Sequence, residues 1–288
     1  MKIQHSVVKK NNKIISSKMR GYTLIQTKIL NFAISQLTPE TKAGAIFKFN
    51  VADILEATGL GKNNHLELRK ATLNMIQGVE IIKDKGVSQV PIFINIDYNE
   101  GGTIDIEFHE KVLPFLIQAK VEYTRYYFLN IQRLRSKYSV RIYELCKQYE
   151  NANCGYREFQ IDDLKFCLDI DDHLYKRYSH FKQGVLDSSV KEVTEKTDIK
   201  IIYESFKNGR KIDRIRFYIT TQNNNNPKED LSIEKNIESI DNNIIETEST
   251  TPPIIIQKKQ ESLINEEDLL TEVGKKLLED FLMPAKIS

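Results

Sequence analysis

The chain has 288 residues, of which 40% are hydrophobic and 28% charged. That length accommodates two modest domains and a tail, and no apolar run approaches the roughly 18 residues a membrane span requires. The net charge of +2 conceals a division, because residues 1–222 carry +9 and residues 223–288 carry −7; a basic body of this kind suits a polyanionic partner, and the acidic end a solvated tail.

Met1 to Arg20 is Lys-rich and lacks an apolar segment with a cleavage site, so it does not read as a secretory signal and the cytoplasm is the expected location. The first strong periodicity is Leu24, Ile25, Ile29, Phe32, Ala33 and Leu37. It predicts an amphipathic helix with Thr23 as N-cap and Gln26 in the capping-box position. Ile46 to Phe49 reads as a short extended piece. Asn50 then caps a short helix that Gly59 ends. Asn64, with Glu67 three residues on, caps a longer one expected to reach about Gln77 and stop at Gly78. Val79 to Lys83 and Val90 to Asp97 read as strands around the turn Asp84-Lys85-Gly86, and Thr103 to Phe108 alternates as a third strand.

The second half repeats this order. Tyr138 to Tyr149 predicts an amphipathic helix. Phe159-Gln160-Ile161-Asp162-Asp163-Leu164 then parallels Phe49-Asn50-Val51-Ala52-Asp53-Ile54 at an offset of 110 residues. A long helix is expected from about Tyr175 to Lys196, then strands Ile199 to Phe206 and Lys211 to Thr220 joined across Asn208-Gly209. Both residues of that pair tolerate the positive φ of a type I′ turn. Cys146, Cys154 and Cys167 show no CxxC spacing and are expected to be reduced and to serve packing. Beyond Thr221 the chain turns acidic and poor in aromatics, as a flexible tail does. It holds one island at helical spacing (Leu270, Val273, Leu277 and Phe281) that is either a docking element or a transient helix.

Helix, short strand, helix, helix and β-hairpin is the order of a winged helix, whose third helix is shaped for the major groove. The expected fold class is α+β: an N-terminal winged-helix domain at 1–124, a C-terminal one at 125–222, and a flexible acidic tail at 223–288.

Three segments carry a family resemblance. Tyr138-Ser139-Val140-Arg141-Ile142-Tyr143-Glu144-Leu145 resembles the YxxRLYELL segment of plasmid replication initiators of the Rep_3 (RepB-type) family. The run Phe181 to Val193 resembles that family's helix FKxxVLxxAVxEI, and Leu24 to Leu30 is similar to its opening LTxxEQKLL helix. Thr27 stands where many members carry an acidic residue or Gln, and Ser189 where they often carry Ala. The similarity covers residues 5 to 221. It implies a protein that binds double-stranded DNA at directly repeated origin sites (iterons) and promotes opening of AT-rich DNA nearby. It further implies recruitment of a host initiator ATPase and replicative helicase, and a monomer–homodimer equilibrium in which the dimer represses the initiator's own gene.

Candidate DNA contacts follow from where polar side chains face. On the second long helix Tyr178, Phe181, Val185 and Val193 form an apolar side. Lys176, Ser179, His180, Gln183 and Asp187 fall opposite, flanked by Arg177 and Lys182. An ordinary solvated face would look similar; the doubled order and the resemblance favour base reading. The hairpin supplies Lys207, Arg210, Lys211 and Arg214, suited to phosphates or a minor groove, although edge cations also guard against aggregation. In the first domain Arg69, Lys70 and Asn74 lie on the corresponding helix, and Lys83 and Lys85 on the predicted hairpin. Arg133 and Arg135 lie at the domain junction, for backbone contact or as a solvated linker.

Enzymatic readings find no support. The five histidines show no ligand spacing, so a metal-dependent nicking site using Tyr123, Tyr126 or Tyr127 is unsupported, and these tyrosines read as core or stacking aromatics. Gly59-Leu60-Gly61-Lys62 lacks phosphate-loop spacing, and Asp169, Asp171 and Asp172 lack the glycine of a calcium loop. No catalytic residue, metal or cofactor is expected. A winged-helix transcriptional repressor without an origin role is the main alternative, and a nicking enzyme the lesser one.

Overall fold

In each half of the chain a short strand runs directly into a helix, at Asn50–Val51 and at Gln160–Ile161. The computed structural model describes residues 3–222, apart from Arg20, Asn74, Ile76, Gln77, 84–85, 118–122, 151–154 and Asp172. Residues Met1–Pro227 form one compact unit, and the predicted tail lies outside the described residues. The first half runs β1 (Val7–Asn11), α1 (Asn12–Ser16), α2 (Leu24–Ile34), β2 (Ile46–Asn50), α3 (Val51–Thr58) and α4 (His65–Leu73). It continues with β3 (Gly78–Lys83), β4 (Gly86–Pro91), β5 (Phe93–Asn99), β6 (Thr103–Phe108), α5 (Leu113–Ile117), β7 (Tyr123–Tyr127) and α6 (Phe128–Gln132). The second half runs α7 (Lys137–Lys147), β8 (Tyr156–Gln160), α8 (Ile161–Cys167) and α9 (Tyr178–Phe181), then a π-helical segment (Lys182–Asp187), α10 (Ser188–Lys196), β9 (Ile199–Asn208) and β10 (Lys211–Thr221).

The internal repeat is a structural one. Strand β2 and helix α3 recur as β8 and α8 at the same 110-residue offset, and the sheets β2-β6-β5 and β8-β10-β9 share one antiparallel order. With α2 and α7 as first helices, and α4 and the α9–α10 rod as third helices, the protein is two tandem winged helices. A further pair, β1 with β7, joins Val7 to Tyr127 and so brings the start of the chain back against residues just before α6.

The caps explain where the first helices begin. Thr23 Oγ1 accepts from the Gln26 amide at 3.3 Å while Gln26 Oε1 accepts from the Thr23 amide at 2.8 Å, the expected reciprocal box, whose loss costs about 1 kcal/mol. Gly59, at φ 77°, ends α3 in the left-handed conformation.

The structure corrects five expectations. Helix α2 is not amphipathic but buried from Gln26 to Ile34, with Gln26 and Lys28 donating to carbonyls of other elements and Thr27 and Asn31 to carbonyls four residues before them. Helix α4 stops at Leu73, earlier than expected. The strand expected over Val90 to Asp97 is two strands, because Pro91 offers no amide to a ladder and the chain changes partner there, from β3 to β6. The long second-domain helix begins at Tyr178, three residues late: Tyr175 takes φ 50°, outside the helical region, and its ring packs against Phe181 and comes within 3.0 Å of where a Cβ on Gly184 would stand. Last, Lys211 pairs with Asn208, so the hairpin turn is Gly209-Arg210. Only Gly209 there has positive φ (62°), which is the type II′ and not the type I′ pattern.

Candidate nucleic-acid interface

In the second domain the third helix is anchored by one face. Phe181, Val185, Leu186 and Val193 are fully buried, and so is Ser189, where a small side chain lets α10 pack closely. Ser179, His180, Lys182 and Gln183 are exposed on the other side, as predicted from their spacing. Lys176 and Arg177 are exposed too, but they precede the helix, Arg177 being its extended N-cap residue. They sit at its N-terminal mouth and not along its exposed side.

Lys182 is the most constrained of these cations. Its ammonium donates to both Asp187 oxygens at 2.9 and 2.8 Å and lies over the Tyr203 ring, and Tyr203 donates its hydroxyl proton to Asp187 at 2.5 Å. The bonds to Asp187 hold the Lys182 ammonium above its ordinary pKa, and those same bonds hold the Asp187 carboxyl below its own. Tyr178 and Ser205 share a second side-chain hydrogen bond. The rod is thus tied to β9 at two points, so third helix and wing are positioned together.

The wing holds the predicted cations in two settings. Lys207, Arg210 and Lys211 surround the exposed turn. Arg214 is half-buried: with Arg216 it grips Glu158 on β8, at 3.0 and 2.8 Å, and both guanidinium groups lie against the Phe206 ring. Arg214 therefore braces the sheet beneath the turn.

In the first domain Arg69 and Lys70 are exposed on α4. Asn74, Lys85 and the side chain of Lys83 lie outside the described residues; the Lys83 backbone pairs with Gly86 in the separate β3–β4 hairpin. The topological counterpart of the second wing is β5–β6, whose turn is Glu100-Gly101-Gly102. Arg133 and Arg135 are exposed at the junction, which is pinned in place. Leu134 between them is fully buried, and the Arg135 amide donates to Glu192 at 2.8 Å.

Two sets of residues escaped sequence reasoning. Leu66 and Leu73 on α4 are 76% and 69% exposed, two large apolar side chains on the polar side of its helical pattern. The other set is the buried cluster of Lys10, Arg141 and Glu144. Glu144 accepts from Lys10 at 2.7 Å, from Arg141 at 3.0 Å and from the Tyr126 hydroxyl at 2.6 Å. Burial works to raise its pKa, but the two cations outweigh that and hold the carboxyl below the usual range. Arg141 also donates to the carbonyls of Ile15, Ser17 and Cys167. Tyr126 is a core residue, as its sequence setting suggests, with its hydroxyl bonded to Asn31 and Glu144. Cys146 and Cys167 are reduced and buried, and burial pushes the Cys146 thiol up to about 12, as befits packing groups.

Comparisons with known proteins fall on this architecture. The family described as "Initiator Replication protein, WH1" matches residues 7–147, and that described as "Initiator Rep protein, WH2" matches residues 160–219. A "Replication initiation protein" of Escherichia coli is 25% identical over 226 residues, covering 74% of this chain and 69% of its own length. A "PI protein" of Escherichia coli is 26% identical over 170 residues, or 53% of this chain and 56% of the relative. The crystal structure of a Pi initiator protein in complex with iteron DNA shares the fold at a TM-score of 0.65 and 19% identity, over 77% of this chain and 99% of that one. The first match runs through α7 and the second from the end of β8 into β10, so that together they span most of both winged helices: the chain belongs to the family of plasmid replication initiator proteins.

Proposed function

We propose that this chain initiates replication of a plasmid by binding repeated sites in its origin, each winged helix, at 1–124 and 125–222, presenting its third helix to the duplex. The observation that carries the reading is the exposed row Ser179, His180 and Gln183 on a helix whose opposite face is sealed in the core, with cations at its mouth and on the adjoining wing. Polar donors and acceptors so placed suit base edges, and the surrounding Lys and Arg suit phosphates. A related Pi protein sits on iteron DNA. The reading includes opening of adjacent AT-rich DNA, recruitment of a host initiator ATPase and helicase in the cytoplasm, and repression of the initiator's own gene by a homodimer. It contains no catalytic step. Among the described residues no group of three His, Cys, Asp or Glu side chains could hold a metal ion, and no helix is long and apolar enough to cross a membrane.

Titration of the full chain against repeats flanking its reading frame, across a salt series, tests this. Log affinity is expected to fall against log salt with a slope of about −0.9 for each phosphate neutralised. Arg177→Ala should weaken binding while leaving the melting temperature near wild type. A flat salt response, or no preference for the repeats over unrelated duplex, would overturn the assignment.

A further inference from the structure

Helix α4 turns an unusual face to solvent. At 3.6 residues per turn Leu66, Arg69, Lys70 and Leu73 share one stripe, and all four are exposed. The opposite face is fixed. Leu68 is fully buried, as is Met75 just beyond the helix, Thr72 bonds the Tyr98 hydroxyl at 2.9 Å, Gln26 donates to the Ala71 carbonyl at 2.8 Å, and Tyr22 donates to the Met75 carbonyl. The helix cannot roll to hide its leucines without breaking these bonds. Two large apolar side chains thus stand in water at the ends of a short cationic stripe, on the helix that a winged helix offers to a groove.

We propose that Leu66 and Leu73 read the 5-methyl groups of thymine in the major groove, making the part of the site under α4 T-rich. This rests on the proposed origin binding and names the base preference of its first-domain half. The methyl group is the one apolar feature on the major-groove edges of the bases, and it distinguishes thymine from every other base. Arg69 and Lys70, between the leucines, complement the charge of the flanking phosphates. An acidic or neutral protein partner would not account for the stripe's place on the third helix. Seven residues of helix span about 10.5 Å, or roughly three base steps of 3.4 Å, so the two methyl groups should lie about three base pairs apart where the helix follows the groove.

The test uses the full chain and duplexes of about 30 base pairs, roughly three helical turns, enriched by that chain from a randomised pool. These are resynthesised with deoxyuridine for thymidine, which removes only the methyl group. Wild type should bind the uracil duplex about fourfold more weakly for each methyl group that a leucine would cover. Leu66→Ala and Leu73→Ala should each bind the thymine duplex more weakly, with a smaller further loss on uracil, and melt as wild type does because both positions are exposed. Equal wild-type affinity for the two duplexes, or an undiminished thymine preference in both variants, overturns methyl reading and leaves the leucines as a protein-docking patch. Failure to enrich any duplex overturns the proposed function itself, and the methyl reading with it.

Discussion

The ammonium of Lys182 lies 2.8 Å from Asp187 and above the Tyr203 ring, so a phosphate approaching it competes with a carboxylate. Charge counting along the sequence treats this lysine as available; the structure shows it paired. Asp187→Ala is accordingly expected to tighten DNA binding by about two- to fivefold, the worth of an exposed ion pair, as read by fluorescence anisotropy at fixed salt. Weaker binding would mean that Asp187 positions Lys182 for contact and does not mask it. Arg214 teaches the same lesson. Five cations within ten residues mark the wing, yet Arg214 and Arg216 are held by Glu158, a residue 56 positions before Arg214 that no local pattern connects to them. The exposure of Ser179, His180 and Gln183, by contrast, was legible from helical spacing, because the opposite face of that rod is apolar apart from Ser189.

At the scale of elements, caps and strand–helix junctions were readable because they depend on neighbouring residues. Thr23 and Gln26 close their box as anticipated, and the repeat of Phe49-Asn50-Val51 in Phe159-Gln160-Ile161 marks both β–α junctions. What escaped was set by tertiary packing: the burial of the polar side of α2, and Tyr175 holding the chain out of the helix. Lys28 is the clearest case. It is 4% exposed, and its ammonium donates to the last carbonyls of two helices, Gln132 of α6 at 2.7 Å and Thr58 of α3 at 3.4 Å. Burial, against the pull of Glu192, lowers its pKa to about 8 from an ordinary 10.5. Between those two values the unfolded chain binds the proton that the folded chain has released, so folding stability rises with pH across that window. In Lys28→Met this contribution, on the order of 2 kcal/mol, should vanish from denaturant unfolding measured across the same range. An unaltered slope would show that the ammonium is not desolvated as described.

For the molecule as a whole, one of the segments that carry the family resemblance, from Ser139 to Leu145, faces inward. Arg141 and Glu144 on α7 meet Lys10 on β1, the carbonyls of α1 and the end of α8, so they fasten the opening of the chain to its second half. Pairings across 124 to 134 positions cannot be inferred from periodicity, which explains why the motif was recognisable while its role was not. Glu144→Ala would strand two buried cations and is expected to cost about 3–5 kcal/mol, read as a lowered denaturation midpoint. A loss under about 1 kcal/mol would mean that the cluster is wet or rearranged.

That cluster also sets how the two winged helices can be recombined. A chimera taking its second winged helix from a relative would inherit a foreign α7 facing a native β1. Transplants should therefore succeed only when the opening segment through Ser17 travels with the graft, so that the practical unit of exchange is discontinuous along the gene.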